Sequence, residues 1–276
     1  MFLYLHGGGM ATLSSADGVF QAFARLIARQ GVCVIMPEFR NSLNGTTLVP
    51  DVAQYPAGLN DCYDALKYVH ENKSKLRIGN NICLGGESGG GNLSLALTLK
   101  LKHNNELHLC NGVYALCPYI AGHWDQKKSN EGILGTSHIG KTPSSFFSLA
   151  NAYSDTGVAE RDPLCWMGFA TINDLRDFPR TVISVNENDS LCDEGINFYR
   201  RAVKAGVNVE GRIVLGTGHA SDMHWDYLPE ITTTTARAIA DFVANGFPLN
   251  RLPMPNPMES IIVTENMTSS SSIAKL

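Results

Sequence analysis

A chain of 276 residues, 44% of them hydrophobic and 17% charged, can bury a sizeable core, which excludes a disordered protein. Its formal net charge of -4 supplies no basic face for nucleic acid, and no apolar run approaches the length that crosses a bilayer. Seven cysteines, scattered at 33, 62, 83, 110, 117, 165 and 192 without a Cys-x-x-Cys pair, argue for a reduced, cytoplasmic setting and against structural zinc.

Met1 to Leu5 reads as a buried strand, with His6-Gly7-Gly8-Gly9 directly after it. A domain rarely opens inside its own core, so this strand is expected either at a sheet edge or behind an upstream portion that this sequence lacks. Val19, Phe23, Leu26 and Ile27 then recur at helical spacing until Gly31, and Val32 to Met36 reads as a second strand. After a polar loop from Asn41 to Tyr55, Leu59, Cys62, Leu66 and Val69 mark another helix.

Asn80 to Leu84 predicts a third strand, which runs into Gly86-Glu87-Ser88-Gly89-Gly90. This fits G-x-S-x-G, in which glycines two before and two after the serine let a strand and a helix meet at a sharp turn with the hydroxyl at its tip. Leu93, Leu95, Leu97, Leu99 and Leu101 alternate with smaller or polar residues, a strand-like period. A helix is nevertheless expected, since a helix buried against a sheet is apolar on most sides and the elbow needs its positive end beneath the serine.

Leu107 to Leu116 reads as a further strand closed by Pro118. Between residues 119 and 174 the alternation stops, and Trp124, Phe146, Phe147, Tyr153, Trp166 and Phe169 stand among polar residues and glycines, as in an inserted lid. Regularity returns with a strand at Arg180 to Val185, a helix through Ile196, Tyr199, Ala202 and Val203, a strand at Val209 to Leu215 and a helix at Ile231 to Val243. Strands alternating with helices indicate an α/β fold, a mostly parallel sheet with helices on both faces. The expected organisation is a catalytic body at 1–118 and 175–247, the lid at 119–174, and a flexible tail at 248–276. That tail ends in Ala274-Lys275-Leu276, similar to a peroxisomal address and the alternative to the cytoplasm.

Ser88, Asp189 and His219 each stand just beyond a predicted strand, and in an open parallel sheet such ends face one crevice. Their order, Ser then Asp then His, accompanies the G-x-S-x-G elbow. Ser88 is the candidate nucleophile, His219 the general base and Asp189 the group that orients it. His224, five residues past His219, shares no helical face with it and is expected to be a surface or loop-packing residue. His6-Gly7-Gly8-Gly9 and the residue after the nucleophile, Gly89, are candidate donors to an oxyanion.

Together these residues resemble the hormone-sensitive lipase branch of the α/β-hydrolases, also called bacterial family IV esterases. That family's G-D-S-A-G-G-N-L stands here as Gly86 to Leu93, its D-P-L-x-D-E-G as Asp189 to Gly195, and its H-G-G-G as His6 to Gly9. Pro56 to Asp61 is similar to the segment that opens the family's helix before the elbow. The resemblance implies an α/β-hydrolase fold with a lid, a serine carboxylesterase acting on small short-to-medium acyl esters, no cofactor and no metal. It also assigns the oxyanion hole to Gly8 and Gly9 beside Gly89, with Gly7 a weaker candidate. Glu87 for aspartate and Gly89 for alanine are expected to loosen the turn, and Ser190 replaces proline beside Asp189. Family members carry a long segment before H-G-G-G that this sequence does not have, so activity is expected to depend on the full chain beginning upstream. A non-catalytic relative that binds a small ligand is the alternative, opposed by the presence of His219, and amide or lactone hydrolysis is a further one.

Overall fold

The computed structural model describes residues 1–122, 144–154 and 161–245, with side chains omitted at 144–147. Six strands form one all-parallel sheet in the order β2-β1-β3-β4-β5-β6: β1 Phe2–Leu5, β2 Val34–Ile35, β3 Cys83–Glu87, β4 Gly112–Leu116, β5 Arg180–Asn186 and β6 Val209–Val214. The first strand is not an edge. It pairs with β2 on one side and with β3 on the other, and all four of its residues are buried.

Alternate side chains of β1 serve two cores, as the strand's two-residue period requires. Phe2 and Tyr4 pack with Phe20, Phe23 and Ile27 of α1 (Gly18–Ala28) and with Ile239, Phe242 and Val243 of α8 (Pro229–Ala244). Leu3 and Leu5 face the opposite core, which includes Leu59, Cys62 and Leu66 of α2 (Ala57–Glu71) and the leucines of α4 (Gly89–His103). A short helix, α3 (Lys73–Leu76), follows α2. On this second face lie also α7 (Cys192–Lys204), through Phe198 and Ala202, and Leu175 of the short α6 (Ile172–Leu175).

Several boundaries differ from the sequence reading. The second strand contracts to two residues, because the chain from Met36 onward leaves the sheet. Leu107 to Leu109 form a 3-10 turn, and the strand proper starts at Gly112. The alternating leucines of α4 are helical as expected, and the helix is enclosed so fully that Leu93, Leu95, Leu97, Leu99 and Leu101 all have zero exposure. Each such leucine contributes roughly 1.5–3 kcal/mol by leaving water.

From the 119–174 region, the helix α5 (Ser144–Tyr153), a 3-10 turn at Met167–Phe169 and α6 are described. Trp166 is wholly buried and meets Tyr119 and Tyr153 edge-on, at centroid separations of 5.1 and 5.5 Å. Asn92 on α4 binds this segment at two points: its Nδ2 donates to the Cys165 carbonyl at 2.8 Å, and its Oδ1 accepts from the Met167 N–H at 3.2 Å. Trp124, residues 155–160, the side chains of Phe146 and Phe147, and the expected tail at 248–276 lie outside the described residues.

Candidate active site

Ser88 joins β3 to α4 at φ 55° and ψ -119°, a positive-φ conformation that a residue with a Cβ rarely adopts. Such a backbone costs on the order of 1–3 kcal/mol and persists where its surroundings over-determine it. Here the Ser88 N–H donates to the Leu116 carbonyl at 2.9 Å, while its own carbonyl accepts from Asn92 and Tyr119 at 3.1 and 2.9 Å. Gly86 and Gly90 allow the crossing. A Cβ on either would lie 2.1 or 1.9 Å from the Leu5 carbonyl oxygen, so the end of β1 passes directly against the elbow.

Asp189 and His219 reach Ser88 from the ends of β5 and β6. His219 Nε2 lies 3.0 Å from Ser88 Oγ, and His219 Nδ1 lies 2.7 Å from Asp189 Oδ2. A carboxylate only accepts, so Nδ1 carries the proton and Nε2 is left as the acceptor of the serine hydroxyl. The other Asp189 oxygen accepts the Leu191 N–H at 2.9 Å. The two loops are also tied to each other, since the Asn188 N–H donates to the Thr217 carbonyl at 2.8 Å and Asn186 Nδ2 donates to Thr217 Oγ1 at 2.8 Å. Asp222, buried three residues past His219, accepts from Asn186 at 3.4 Å and from Thr235 of α8 at 3.2 Å.

The glycine loop lies on the other side of the elbow. A Cβ on Gly89 would come within 2.7 Å of the Met10 nitrogen and 2.8 Å of the Gly9 nitrogen, so the two glycine segments touch through their backbones. Glycine at 89 leaves space for this close approach.

In a planar trans peptide the C=O and N–H point in opposite directions, so fixing one aims the other. The Gly7 carbonyl accepts from His6 Nδ1 at 2.8 Å, the Gly8 carbonyl from the Ala11 and Thr12 N–H groups at 3.1 Å, and the Ser88 carbonyl from Asn92 and Tyr119. These three anchored carbonyls orient the N–H groups of Gly8, Gly9 and Gly89 respectively, none of which has a protein acceptor among the described residues. Gly7 is different. Its N–H donates to Glu87 Oε1 and is already committed.

His6 itself is buried and stacked on Phe39 at 4.2 Å, and burial lowers its pKa, so it is a neutral ring protonated on Nδ1. Glu87 is buried as well, and desolvation pushes its carboxyl up to about 8. Its Oε1 accepts the Gly7 N–H, so Glu87 ties the elbow to the glycine loop. Cys117 offers a sulfur within 4.8 Å of donor atoms on Asp189 and His219. Burial holds its thiol well above the usual range, and the other two donors already engage each other, so the trio is poorly suited to a cation.

Glu194, in the first turn of α7, accepts the Ile120 N–H at 2.6 Å, whereas His224 is exposed and rests against Tyr227. Sequence reasoning missed the supporting roles of Asn92, Asn186, Thr217 and Asp222. Only Asn92 carried a signal, as part of the glycine motif.

A family model described as the alpha/beta hydrolase fold matches residues 2–223. Among solved structures, the esterase Est22 is 43% identical with a TM-score of 0.81, covering 88% of this chain and 70% of its own. Brefeldin A esterase, described as a bacterial homologue of human hormone sensitive lipase, is 35% identical with a TM-score of 0.81, covering 88% and 68%. The chain belongs to the hormone-sensitive-lipase-like branch of the α/β-hydrolase family. Vegetative-specific protein H5 of Dictyostelium discoideum is 29% identical to this α/β-hydrolase over 222 residues, which are 78% of this chain and 61% of that protein. An arylesterase of Saccharolobus solfataricus is 27% identical over 80% of this chain and 67% of its own. No helix among the described residues is long and apolar enough to cross a membrane.

Proposed function

We propose that this α/β-hydrolase is a serine carboxylesterase that cleaves small esters of short to medium acyl chains through an acyl-enzyme. The observation that carries the reading is the unbroken hydrogen-bond chain Ser88–His219–Asp189, set beside three oriented glycine N–H groups. Three similar proteins are themselves named esterases.

In this mechanism His219 Nε2 takes the Ser88 proton as Oγ attacks the ester carbonyl carbon, and Asp189 steadies the imidazolium that forms. The N–H groups of Gly8, Gly9 and Gly89 receive the negative charge on the carbonyl oxygen, with the positive end of α4 behind them. Return of the proton to the leaving alcohol completes acylation, and water activated by the same histidine releases the acid. Of the 119–174 region, assigned here as the cap, the described Tyr119, Tyr153 and Trp166 form a part that packs into the core. The chemistry draws on no metal or cofactor.

The test is hydrolysis of p-nitrophenyl esters from acetate to longer acyl chains by the wild type and by Ser88→Ala. The expected result is a loss of about 10⁴-fold or more in kcat for the variant, with wild-type rates falling as the acyl chain lengthens. Equal rates in the two proteins would sink the assignment.

A further inference from the structure

Glu87 is the last residue of β3 and stands immediately before the nucleophile, in the variable position of the elbow. The pairing of Leu5 with Gly86 brings the start of the glycine loop against it. Gly7 donates its N–H to Oε1, and the fit leaves no room for a side chain, because a Cβ on Gly7 would sit 2.7 Å from that oxygen. Oε2 is sealed from solvent with no partner in full hydrogen-bond geometry, and the Tyr4 hydroxyl beside the carboxyl is a side-chain donor to it. The carboxyl faces Tyr4 of β1, Cys117 after β4 and Asp222 of the 3-10 turn after His219, and among the described residues it forms no ion pair with any cation.

We propose that Glu87 is the positioning residue of the oxyanion loop and that it does this in its protonated, uncharged form. The inference rests on the esterase reading above for its catalytic consequence, and on the geometry alone for the positioning. A carboxylate held only by the Gly7 N–H and the Tyr4 hydroxyl, in a dry site beside Asp222 and without a cation, would be strongly disfavoured, because desolvation outweighs the two donors. A neutral acid in the same place keeps a carbonyl oxygen for the Gly7 N–H. With that N–H held by Glu87 and the Gly7 carbonyl held by His6, both peptides of Gly7 are fixed, and with them the direction of the Gly8 N–H.

Desolvation, with a smaller push from Asp222, brings the Glu87 carboxyl up to about 8, while burial keeps the Tyr4 hydroxyl and Cys117 thiol protonated well above that. His6 is already neutral there. Within this cluster, then, Glu87 is the group that changes charge on mild alkalinisation. Losing its proton to solvent puts a negative charge next to the loop that must receive the oxyanion, and the like charges oppose turnover.

The experiment compares kcat against pH for the wild type, Glu87→Gln and Glu87→Leu, with circular dichroism to confirm folding. Wild-type kcat is expected to fall about tenfold between about pH 7 and about pH 9. Glu87→Gln keeps a neutral acceptor, so it should retain kcat at about pH 7 within about threefold and lose the alkaline fall. Glu87→Leu, folded but without an acceptor, should lose about 10²-fold in kcat with KM little changed. An alkaline fall in Glu87→Gln equal to the wild type's, or undiminished kcat in Glu87→Leu, overturns the proposal.

A second readout does not need turnover. The amide resonances of Gly7, Gly8 and Gly9 should move with pH through about 8 in the wild type and stay still in Glu87→Gln. Static wild-type resonances overturn the proposal whatever the assay gives. Moving resonances in a protein that cleaves no ester uphold the positioning and sink only the esterase reading.

Discussion

Ser88 and Glu87, adjacent in sequence, carry opposite kinds of tension. One is a backbone held at positive φ by three hydrogen bonds, and the other is an acid held in a place that disfavours its charge. The second leaves a mark on stability. Glu87 titrates near 4.5 when exposed and near 8 when folded, so the native state keeps a proton that the unfolded chain gives up. Its contribution is therefore full below about pH 4.5, declines as pH rises toward about 8, and is constant above that. The decline is on the order of 4–5 kcal/mol at about 1.4 kcal/mol per pH unit. Calorimetry at about pH 5 and about pH 8 should find the Tm of Glu87→Gln gaining on the wild type at the higher pH, and a constant difference between them would contradict this account.

Among the elements, β3 and α4 cross the end of β1 at glycines. Gly90→Ala would drive a methyl into the Leu5 carbonyl, at 1.9 Å, and should cost on the order of 3 kcal/mol or more in urea unfolding, because backbone cannot yield as a side chain can. Gly18→Ala is the matched comparison. It opens α1 with nothing within 4 Å of the new carbon, so it should gain up to about 1 kcal/mol. If the two substitutions proved equally tolerated, the close crossing would be wrong.

The same elements show how far the residues speak for themselves. The strand and helix alternation, the elbow and the three polar side chains at strand ends were all legible, because each depends on local pattern or on a turn that few residues permit. The strand-like leucine spacing of α4 misleads only if burial on every side is ignored. What stayed hidden depends on register and crossing. The Gly7–Glu87 bond requires Leu5 to lie opposite Gly86, and the Asn186–Thr217–Asp222–Thr235 network needs β5, β6 and α8 to meet. No spacing within one segment reports either.

For the whole molecule, burial divides the seven cysteines sharply: Cys33 is exposed and the other six are buried without disulfides. A thiol reagent should therefore label about one site per folded chain rapidly and all seven only after denaturation. A second site reacting as fast as the first would show that the core opens. The sheet has one further property. Ser88 and the glycine loop hang from the β1–β3–β4 half, whereas Asp189 and His219 hang from β5 and β6, and the halves adjoin along five residue pairs of β4 and β5. Catalysis of the proposed kind thus belongs to the seam and to neither side of it. A brief parting of two neighbouring strands would silence the chemistry while nearly all secondary structure survived, so turnover gauges the integrity of the sheet more sensitively than spectroscopy of its helices.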